Sequence, residues 1–255
     1  MRLGRTRKSG KVEKEKSREA DKHVRSTIWA IPLDVFVTGA TGYIGRRLVD
    51  SLLARGHRVR ALVRPESVGR VPAGAASVVG NALDAATFAP AVTAADTIVH
   101  LVGTPHPSPK KAAEFQRVDL PSIRASVEAA RRAGVPHLVY VSVAHPAPVM
   151  HAYIEARSAG ERAIADAGLT ATILRPWYVL GPGHRWPYLL VPFYAIARLM
   201  PSKRETARRL GLVTLAQMVN ALVRAVEDPP PAGRIRIVDV PGIRSNSAGS
   251  SPLLR

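Results

Sequence analysis

Three glycines spaced three residues apart form the part of this sequence best suited to chemistry. Gly39, Gly42 and Gly45 follow the short apolar run 35–38 and precede an amphipathic segment, 46–55. A strand that turns through glycines into a helix builds an anion site, because backbone N–H groups and the positive end of the helix dipole meet at one point. Gly39 is expected to make the tight turn, Gly42 to let the backbone approach a pyrophosphate, and Gly45 to let the helix pack closely. This spacing and its flanks predict a dinucleotide site rather than an ordinary strand–turn–helix.

Composition excludes several other kinds of site. The chain has 255 residues, of which 46% are hydrophobic, enough for one large domain or for one domain with a small appendage. It contains no cysteine, so neither a disulfide framework nor a thiolate metal site can form. The sequence has no H-E-x-x-H motif and no compact His/Asp/Glu cluster, so no metal is expected. The longest apolar stretch, 188–200, is about 13 residues long, shorter than the roughly 20 that a membrane span needs.

The positive charge of the chain is concentrated in part at its beginning. The net charge is +18, and residues 1–27 carry +6 of it, from ten Lys or Arg against four acids. Few large apolar residues occur there, which predicts a basic disordered tail over residues 1–32. An inert tail, an upstream start site and a nucleic-acid or membrane tether are three interpretations of this segment. The tail lacks the apolar core of a secretory signal and the chain lacks a known nucleic-acid-reading motif, so a cytoplasmic protein without a nucleic-acid partner is expected.

Beyond the tail, apolar runs alternate with segments of helical period. Strands are predicted at 35–38, 58–63, 76–79, 96–102, 138–142, 170–174 and 234–240, and helices at 46–55, 84–95, 112–133, 153–167 and 214–227. This alternation predicts an α/β fold, a Rossmann doubly wound parallel sheet with helices on both faces. The expected organisation is a nucleotide-binding core over 33–175, a small C-terminal lid or substrate subdomain over 176–243 and a disordered tail over 244–255.

Four motifs in this order resemble the short-chain dehydrogenase/reductase superfamily in its extended and atypical branches. They are the glycine loop at 38–45, Gly-Asn-Ala-Leu-Asp at 80–84, His-Leu-Val-Gly at 100–103, and Leu-Arg-Pro-Trp-Tyr-Val-Leu-Gly-Pro-Gly at 174–183. The resemblance covers roughly residues 33–243. Within the superfamily, the chain is most similar to NAD(P)H-binding proteins related to the mitochondrial complex I accessory subunit, and to NmrA-like proteins.

The resemblance implies a set of cofactor-binding residues. Backbone N–H groups of residues 41–44 would face the pyrophosphate, Asn81 would accept from the adenine amino group where relatives often have Asp, and Gly103 would let the backbone lie close to the ribose. The stretch 176–179 would border the nicotinamide. The complete set is Gly39, Thr41, Gly42, Tyr43, Ile44, Gly45, Arg64, Asn81, Ala82, Leu101, Val102, Gly103, Pro176 and Val179.

The end of the second predicted strand favours NADP over NAD. An NAD-binding protein usually has an acid there, which bonds the 2′-hydroxyl of the ribose. This strand ends at Arg64 instead, and a guanidinium can pair with a 2′-phosphate through two charge-assisted hydrogen bonds. Arg46 or Arg47 could assist. Two alternatives stay open: Arg64 as a solvated surface residue, and Glu66 as a ribose ligand.

The catalytic set that the resemblance implies is altered in this chain. Members of the superfamily use a Tyr-x-x-x-Lys pair on one helix face together with a Ser or Thr after the fifth strand. Tyr153 has Arg157 four residues later in place of lysine, and Ser142 ends the strand while Ala144 stands where the hydroxyl is usual. Arginine keeps the charge but holds its proton more firmly, so this exchange is not conservative. Tyr153, Arg157 and Ser142 are the candidate catalytic residues.

The histidines are weaker candidates. His145, His151 and His184 are alternatives for acid–base work, although such loop histidines are usually solvated. His100 lies on a predicted buried strand, where a structural hydrogen bond is the expected role.

Two functions follow from these residues. The first is an NADP-dependent oxidoreductase or epimerase-like enzyme acting on a small-molecule carbonyl or alcohol, whose identity the sequence does not reveal. The alternative is a non-catalytic NADPH-binding redox sensor or an accessory subunit of a membrane complex, which the altered catalytic set favours. The aromatic and basic segment 186–209 suits either a peripheral membrane contact or a substrate lid. Many superfamily members are dimers, which leaves a homodimer open.

Overall fold

The computed structural model describes residues 31–182 and 210–245. Within these ranges the chain forms nine strands: β1 Asp34–Thr38, β2 Arg58–Val63, β3 Ala76–Val79, β4 Thr97–His100, β5 His137–Val141, β6 Ala171–Leu174, β7 Tyr178–Leu180, β8 Leu212–Thr214 and β9 Ile235–Val238. The helices of the same ranges are α1 Tyr43–Ala54, α2 Ala89–Val92, α3 Ala112–Glu114, α4 Leu120–Ala133, α5 His151–Asp166, α6 Leu215–Glu227 and α7 Val240–Ser245.

Seven of the strands form one parallel sheet in the order β3-β2-β1-β4-β5-β6-β9. The chain winds outward from β1 in one direction, returns to the centre and winds outward from β4 in the other. The predicted doubly wound parallel sheet is therefore confirmed. Loops that follow β1 and β4 leave the sheet toward opposite faces, and this reversal opens a crevice at the carboxyl ends of the two strands, where such folds bind ligands.

Helices cover both faces of the sheet, as the sequence predicted. One buried cluster packs Leu48 and Leu52 of α1 and Leu222 of α6 against one face. The other cluster joins Phe36 of β1 to Ile123 of α4 on the opposite face. Successive residues of β1 thus point to opposite layers, and the central strands are buried on both sides, which accounts for their continuous apolar sequence.

The prediction of one continuous helix over 84–95 is wrong, because the structure has two shorter elements there. The structure has a 3₁₀ turn at Ala85–Thr87, and α2 begins only after it. Asp84 accepts a hydrogen bond from the Ala86 N–H and so starts the turn. A separate helix, α2, then begins next to Pro90, because a proline ring inside a continuous helix would clash with the carbonyl four residues earlier.

The helix predicted over 112–133 is confirmed in extent but contains a π-helical turn. This turn, Phe115–Asp119, lies between α3 and α4 and immediately precedes Leu120 and Pro121. Proline lacks the N–H that an α-helix would use at that point, and a widened turn accommodates both the missing donor and the ring. Gly134, with φ +63°, ends α4 as predicted. The π turn buries Phe115 and Asp119.

The C-terminal region differs from the prediction in two places. Strands β7 and β8 form a separate two-stranded parallel sheet that the sequence did not indicate. The strand predicted over 234–240 ends at Val238, and α7 follows it. Helix α6 begins with a capping box between Thr214 and Gln217, which matches its predicted start.

Several predictions concern residues outside the described ranges. They include most of the basic tail over 1–32, all of the aromatic and basic segment 186–209, His184 and most of the tail over 244–255. Among the described helices, none combines the length and the apolar character that crossing a membrane requires.

Candidate functional site

The glycine loop lies in the crevice between β1 and β4 and leaves no space for side chains. Gly39 has φ +73°, and a Cβ there would lie 2.9 Å from the Leu101 carbonyl carbon. A Cβ on Gly45 would lie 2.1 Å from the Gly39 oxygen. The helix therefore packs directly on the turn that precedes it, and substitution at either glycine requires the backbone to move.

The start of α1 points toward this loop. Gly42 is the N-cap residue, its N–H donates to Gly39 O at 3.0 Å, and its carbonyl accepts from the Arg46 N–H at 3.1 Å. The first turn contains no acidic residue that would neutralise the positive end of the helix dipole. This end of α1 therefore has the chemistry of a phosphate site. The same arrangement fits the pyrophosphate of a dinucleotide, because the missing glycine side chains let a ligand approach the backbone.

Two adjoining cavities share the loop as part of their walls. The first, of about 530 Å³, is called the Arg64 cavity and is lined by nine of the predicted cofactor residues: Gly39, Thr41, Gly42, Arg64, Asn81, Ala82, Leu101, Val102 and Gly103. The second, of about 430 Å³, is called the Tyr153 cavity and is lined by the other five, Tyr43, Ile44, Gly45, Pro176 and Val179, together with Ser142 and Tyr153. Gly39, Gly42, Leu101, Gly103 and Pro105 line both, so the cavities form one groove.

Arg64 lines the cavity named after it and forms an ion pair with Glu66. The Arg64 Nε lies 3.0 Å from a carboxylate oxygen of Glu66, and both side chains are largely exposed. Asn81 is fixed nearby, since its side-chain oxygen accepts from the Leu83 N–H at 3.0 Å and its own N–H donates to the Thr87 hydroxyl. The cavity is therefore bordered by an exposed guanidinium that is paired with a carboxylate.

Tyr153 lies on α5 and lines the cavity named after it. Its ring centroid is 4.9 Å from that of Phe115, at an interplanar angle of 55°. The Arg157 guanidinium carbon lies 5.2 Å from the centroid of the Tyr153 ring, within the range of a cation–π contact. Phe115 and Arg157 thus fix the orientation of the Tyr153 ring at the cavity wall.

Arg157 is buried, with 5% of its surface exposed, and is not among the residues that line either cavity. Its Nη2 lies 2.7 Å from Asp119 Oδ1, and its Nη1 donates to the Val141 carbonyl at 3.0 Å. Burial alone would lower the pKa of Arg157, but Tyr153, Tyr140 and Asp119 outweigh it and raise the pKa, so the group stays charged. This placement argues against the direct catalytic contact that the sequence suggested.

Gly103 packs against two buried charged side chains, Arg157 and Asp119. A Cβ there would lie 2.0 Å from Arg157 Nη2 and 3.2 Å from Asp119 Oδ1. The sequence predicted that this glycine lets the backbone lie close to a ribose. In the structure it also lets the backbone lie directly on the buried guanidinium.

Ser142 is buried at the end of β5, and its hydroxyl donates to Glu161. The same carboxylate accepts from Arg175 through both of its oxygens, and His145 Nε2 lies 3.6 Å from one of them. Because the hydroxyl is engaged with Glu161, it is not directed at the cavity as a donor. This contact argues against a catalytic role for Ser142, and Ala144, where relatives have a hydroxyl, supplies none.

His100 has the structural role expected from the sequence. It is fully buried, and its Nδ1 lies 3.1 Å from the Thr38 hydroxyl and 2.8 Å from the Ser126 hydroxyl. Burial, with a smaller effect from the Arg157 charge, lowers the pKa of His100 to about 3, so the ring is neutral at ordinary pH. Of the other histidine candidates, His151 is exposed at the first residue of α5.

Sequence reasoning missed Asp119, Thr104 and Glu161, which hold the side chains around the groove. For Asp119 a signal existed: it lies four residues after Phe115 and four before Ile123, on the apolar face of the predicted helix. A lone acid at such a position needs a buried partner. Across the described residues, no three His, Asp or Glu side chains are grouped so that they could hold a metal ion.

Comparison with known proteins supports a nucleotide-binding role for this groove. Residues 39–185, which include Gly39, Gly42 and Gly45, match the family described as NAD(P)H-binding. The chain belongs to this family. Its relatives are atypical short-chain dehydrogenase/reductase and epimerase–dehydratase proteins, as the four sequence motifs indicated. Members bind NAD(P), and the cradle formed by Gly39, Gly42 and Gly45 fits that cofactor.

Two relatives of this chain are reductases by name. Ceramide reductase from Caulobacter vibrioides (strain NA1000 / CB15N) is 30% identical over 210 residues, which are 81% of this chain and 64% of that protein. The 3-diazoavenalumate denitrifying reductase from a Streptomyces species is 36% identical over 175 residues, 58% of this chain and 57% of that protein. The chain therefore spans less than two thirds of the length of these relatives.

Solved structures show the same fold at lower identity. The Bordetella bronchiseptica enzyme WbmH in complex with NAD⁺ superposes with a TM-score of 0.60 at 23% identity, covering 77% of this chain and 73% of that one. At this identity the likeness establishes the Rossmann-like architecture alone.

Proposed function

We propose that this protein is an NADP-dependent oxidoreductase that reduces a carbonyl group of an apolar small molecule. The observation that carries the proposal is the position of Tyr153 in a cavity that shares Gly39, Gly42 and Gly103 with the cofactor groove. A bound nicotinamide would supply the hydride. Tyr153 would supply the proton to the carbonyl oxygen, the general-acid role that a phenol can fill.

The wall of the Tyr153 cavity supports an apolar substrate. Ile44, Val141, Val143 and Trp177 line it together with prolines 105, 107 and 176. Such a surface stabilises bound hydrocarbon by removing it from water. The relative named ceramide reductase also acts, by its name, on a lipid. Epimerase-like chemistry on a sugar nucleotide would call for more polar groups in this wall.

The preference for NADP rests on Arg64. Its side chain lines the Arg64 cavity and is mostly exposed, so a 2′-phosphate could displace the Glu66 carboxylate from it. With NAD the same carboxylate could instead bond the ribose hydroxyls. The balance between these two neighbouring side chains decides the cofactor.

The test of the oxidoreductase proposal is turnover with a matched pair of tyrosine variants. NADPH oxidation is measured with a panel of aldehydes and ketones, from small molecules to long-chain ketones. Tyr153→Phe is expected to lower kcat by roughly 100-fold or more, the usual contribution of a general acid, with little change in the NADPH Kd. Tyr178→Phe is the control, because Tyr178 lines the same cavity. Equal activity of the wild type and Tyr153→Phe would refute the role of Tyr153.

A second candidate is an NADPH-binding protein without turnover. It is favoured by the engagement of Arg157 with Asp119 and of Ser142 with Glu161, which leaves Tyr153 without the usual catalytic partners. Tight NADPH binding with no oxidation across the whole carbonyl panel would support this function and contradict the first.

A further inference from the structure

Asp119 is a buried carboxylate with three donors. It ends the π-helical turn and is 1% exposed. Oδ2 accepts from the Thr104 N–H at 3.0 Å and from the Thr104 hydroxyl at 2.6 Å, and Oδ1 lies 2.7 Å from Arg157 Nη2. A buried charge is unfavourable unless it is paired and its lone pairs are satisfied. Asp119 meets both conditions with partners from two other parts of the chain.

Neither partner lines the groove itself, but each belongs to an element whose other residues do. Thr104 belongs to the segment 101–107 after β4, from which Leu101, Gly103 and Pro105 line both cavities. Arg157 lies on α5 one turn after Tyr153, and it also bonds the Val141 carbonyl at the end of β5. The Asp119 carboxylate therefore joins segment 101–107, which lines the groove, to the helix that carries the candidate proton donor.

Segment 101–107 and α5 are in direct contact. A Cβ on Gly103 would lie 2.0 Å from Arg157 Nη2, so the backbone of the segment rests on the guanidinium. The Thr104 hydrogen bonds hold it there from the other side of the same carboxylate. A counter-ion for Arg157 would need only one carboxylate oxygen, whereas here the second oxygen takes both donors of Thr104.

We propose that Asp119 is a positioning residue for the cofactor groove. By holding Thr104 and Arg157 at once, it fixes the distance between segment 101–107 and α5, and through Arg157 the position of the Tyr153 ring. The proposal rests on the proposed function only in that the groove binds NADP(H), and it holds whether or not turnover follows.

The central experiment separates positioning from charge pairing. Asp119→Leu alone leaves the Arg157 charge buried without its carboxylate and is expected to lower Tm strongly. The double variant Asp119→Leu/Arg157→Met removes both charges and is expected to recover most of that Tm, since apolar replacements of a buried pair are often tolerated. It lacks the tether, however, so NADPH binding is expected to stay about tenfold weaker than in the wild type.

A second variant tests the tether without changing any charge. Thr104→Val removes only the hydroxyl that donates to Asp119. Hydrogen exchange at the amides of Gly103, Thr104 and His106 is expected to accelerate, and the NADPH Kd to rise about fivefold. Thr172→Val is the matched control, because Thr172 is also buried, its hydroxyl lies 3.0 Å from His137 Nε2, and it lines neither cavity.

The outcomes are distinguishable from those of the oxidoreductase test. If the double variant regains both Tm and wild-type NADPH affinity, Asp119 is a counter-ion only and the proposal is overturned. Unchanged exchange and affinity in Thr104→Val would overturn it as well. Failure of the wild type to bind NADPH would instead refute the cofactor site, and the exchange of Gly103, Thr104 and His106 would still report on the tether.

Discussion

The glycine loop and the β5–α5 region border the same groove but are built from different parts of the chain. In the loop, Gly39, Gly42 and the start of α1 form the site with backbone atoms. In the β5–α5 region, side chains form it, and most of them are already engaged: Ser142 with Glu161, and Arg157 with Asp119. Tyr153 contacts Phe115 and Arg157 through its ring.

This difference explains why cofactor binding and chemistry are separable in this fold. A backbone site depends on glycines and on chain direction, so it persists while surrounding side chains change. A side-chain site loses its chemistry when one partner is replaced or paired elsewhere. The lysine of the usual catalytic pair is an arginine here, and the arginine is buried in an ion pair. The family assignment consequently specifies the cofactor more firmly than the reaction.

The largest expected effect comes from breaking the backbone site. Gly45→Ala would place a Cβ 2.1 Å from the Gly39 oxygen and 2.9 Å from the Ala40 Cα. The start of α1 must then move away from the loop, so we expect NADPH binding to weaken by about 100-fold. Isothermal titration measures this change.

Gly69→Ala is the matched control for that substitution, because no atom lies within 4 Å of a Cβ at this position. It should bind NADPH as the wild type does. Wild-type binding by Gly45→Ala itself would show that the loop tolerates a shifted helix, and the contrast between the two regions would then fail.

A smaller effect is expected where a side chain contributes to the cofactor site. Arg64→Ala should weaken NADPH binding by about tenfold, the loss expected for a charge-assisted bond to the 2′-phosphate. NADH binding should change by less than about twofold, because the 2′-hydroxyl does not need that charge. Parallel titrations with both cofactors measure the ratio, and Arg70→Ala is a nearby control outside the cavity lining. Equal losses for the two cofactors would contradict the NADP preference.

The smallest effect is expected at Ser142. Its hydroxyl bonds Glu161, which Arg175 still holds after the serine is removed. Ser142→Ala should therefore change kcat by less than about threefold, while the free energy of unfolding falls by about 1 kcal/mol. Steady-state kinetics and urea unfolding measure the two quantities. A loss of kcat as large as that in Tyr153→Phe would show that the hydroxyl turns toward the substrate.

Local sequence signals account for the parts of the structure that were predicted. The apolar runs of β1, β4 and β5 and the helical period of α4 and α6 depend on neighbouring residues, and each was found within a few positions. Two local signals were misread. Pro90 broke a predicted helix, and Pro121 introduced the π turn that buries Asp119. Both errors come from treating a proline as part of a continuous helical period.

Contacts between distant residues could not be predicted in the same way. Asp119 and Arg157 are 38 residues apart, and Thr104 is 15 residues from Asp119. No sequence period relates them, because the sheet order and the crossings of α4 and α5 bring them together. The space that Gly103 leaves for Arg157 likewise depends on where α5 packs.

The sequence by itself determined the phosphate cradle and the doubly wound sheet, since glycine spacing and apolar period act over a few neighbouring residues. Only the tertiary structure decided what the side chains around the groove do. Whether Arg157, Ser142 and Gly103 face a ligand or the protein interior depends on which buried groups meet them. A buried charge must find its partner wherever the packed helices place one.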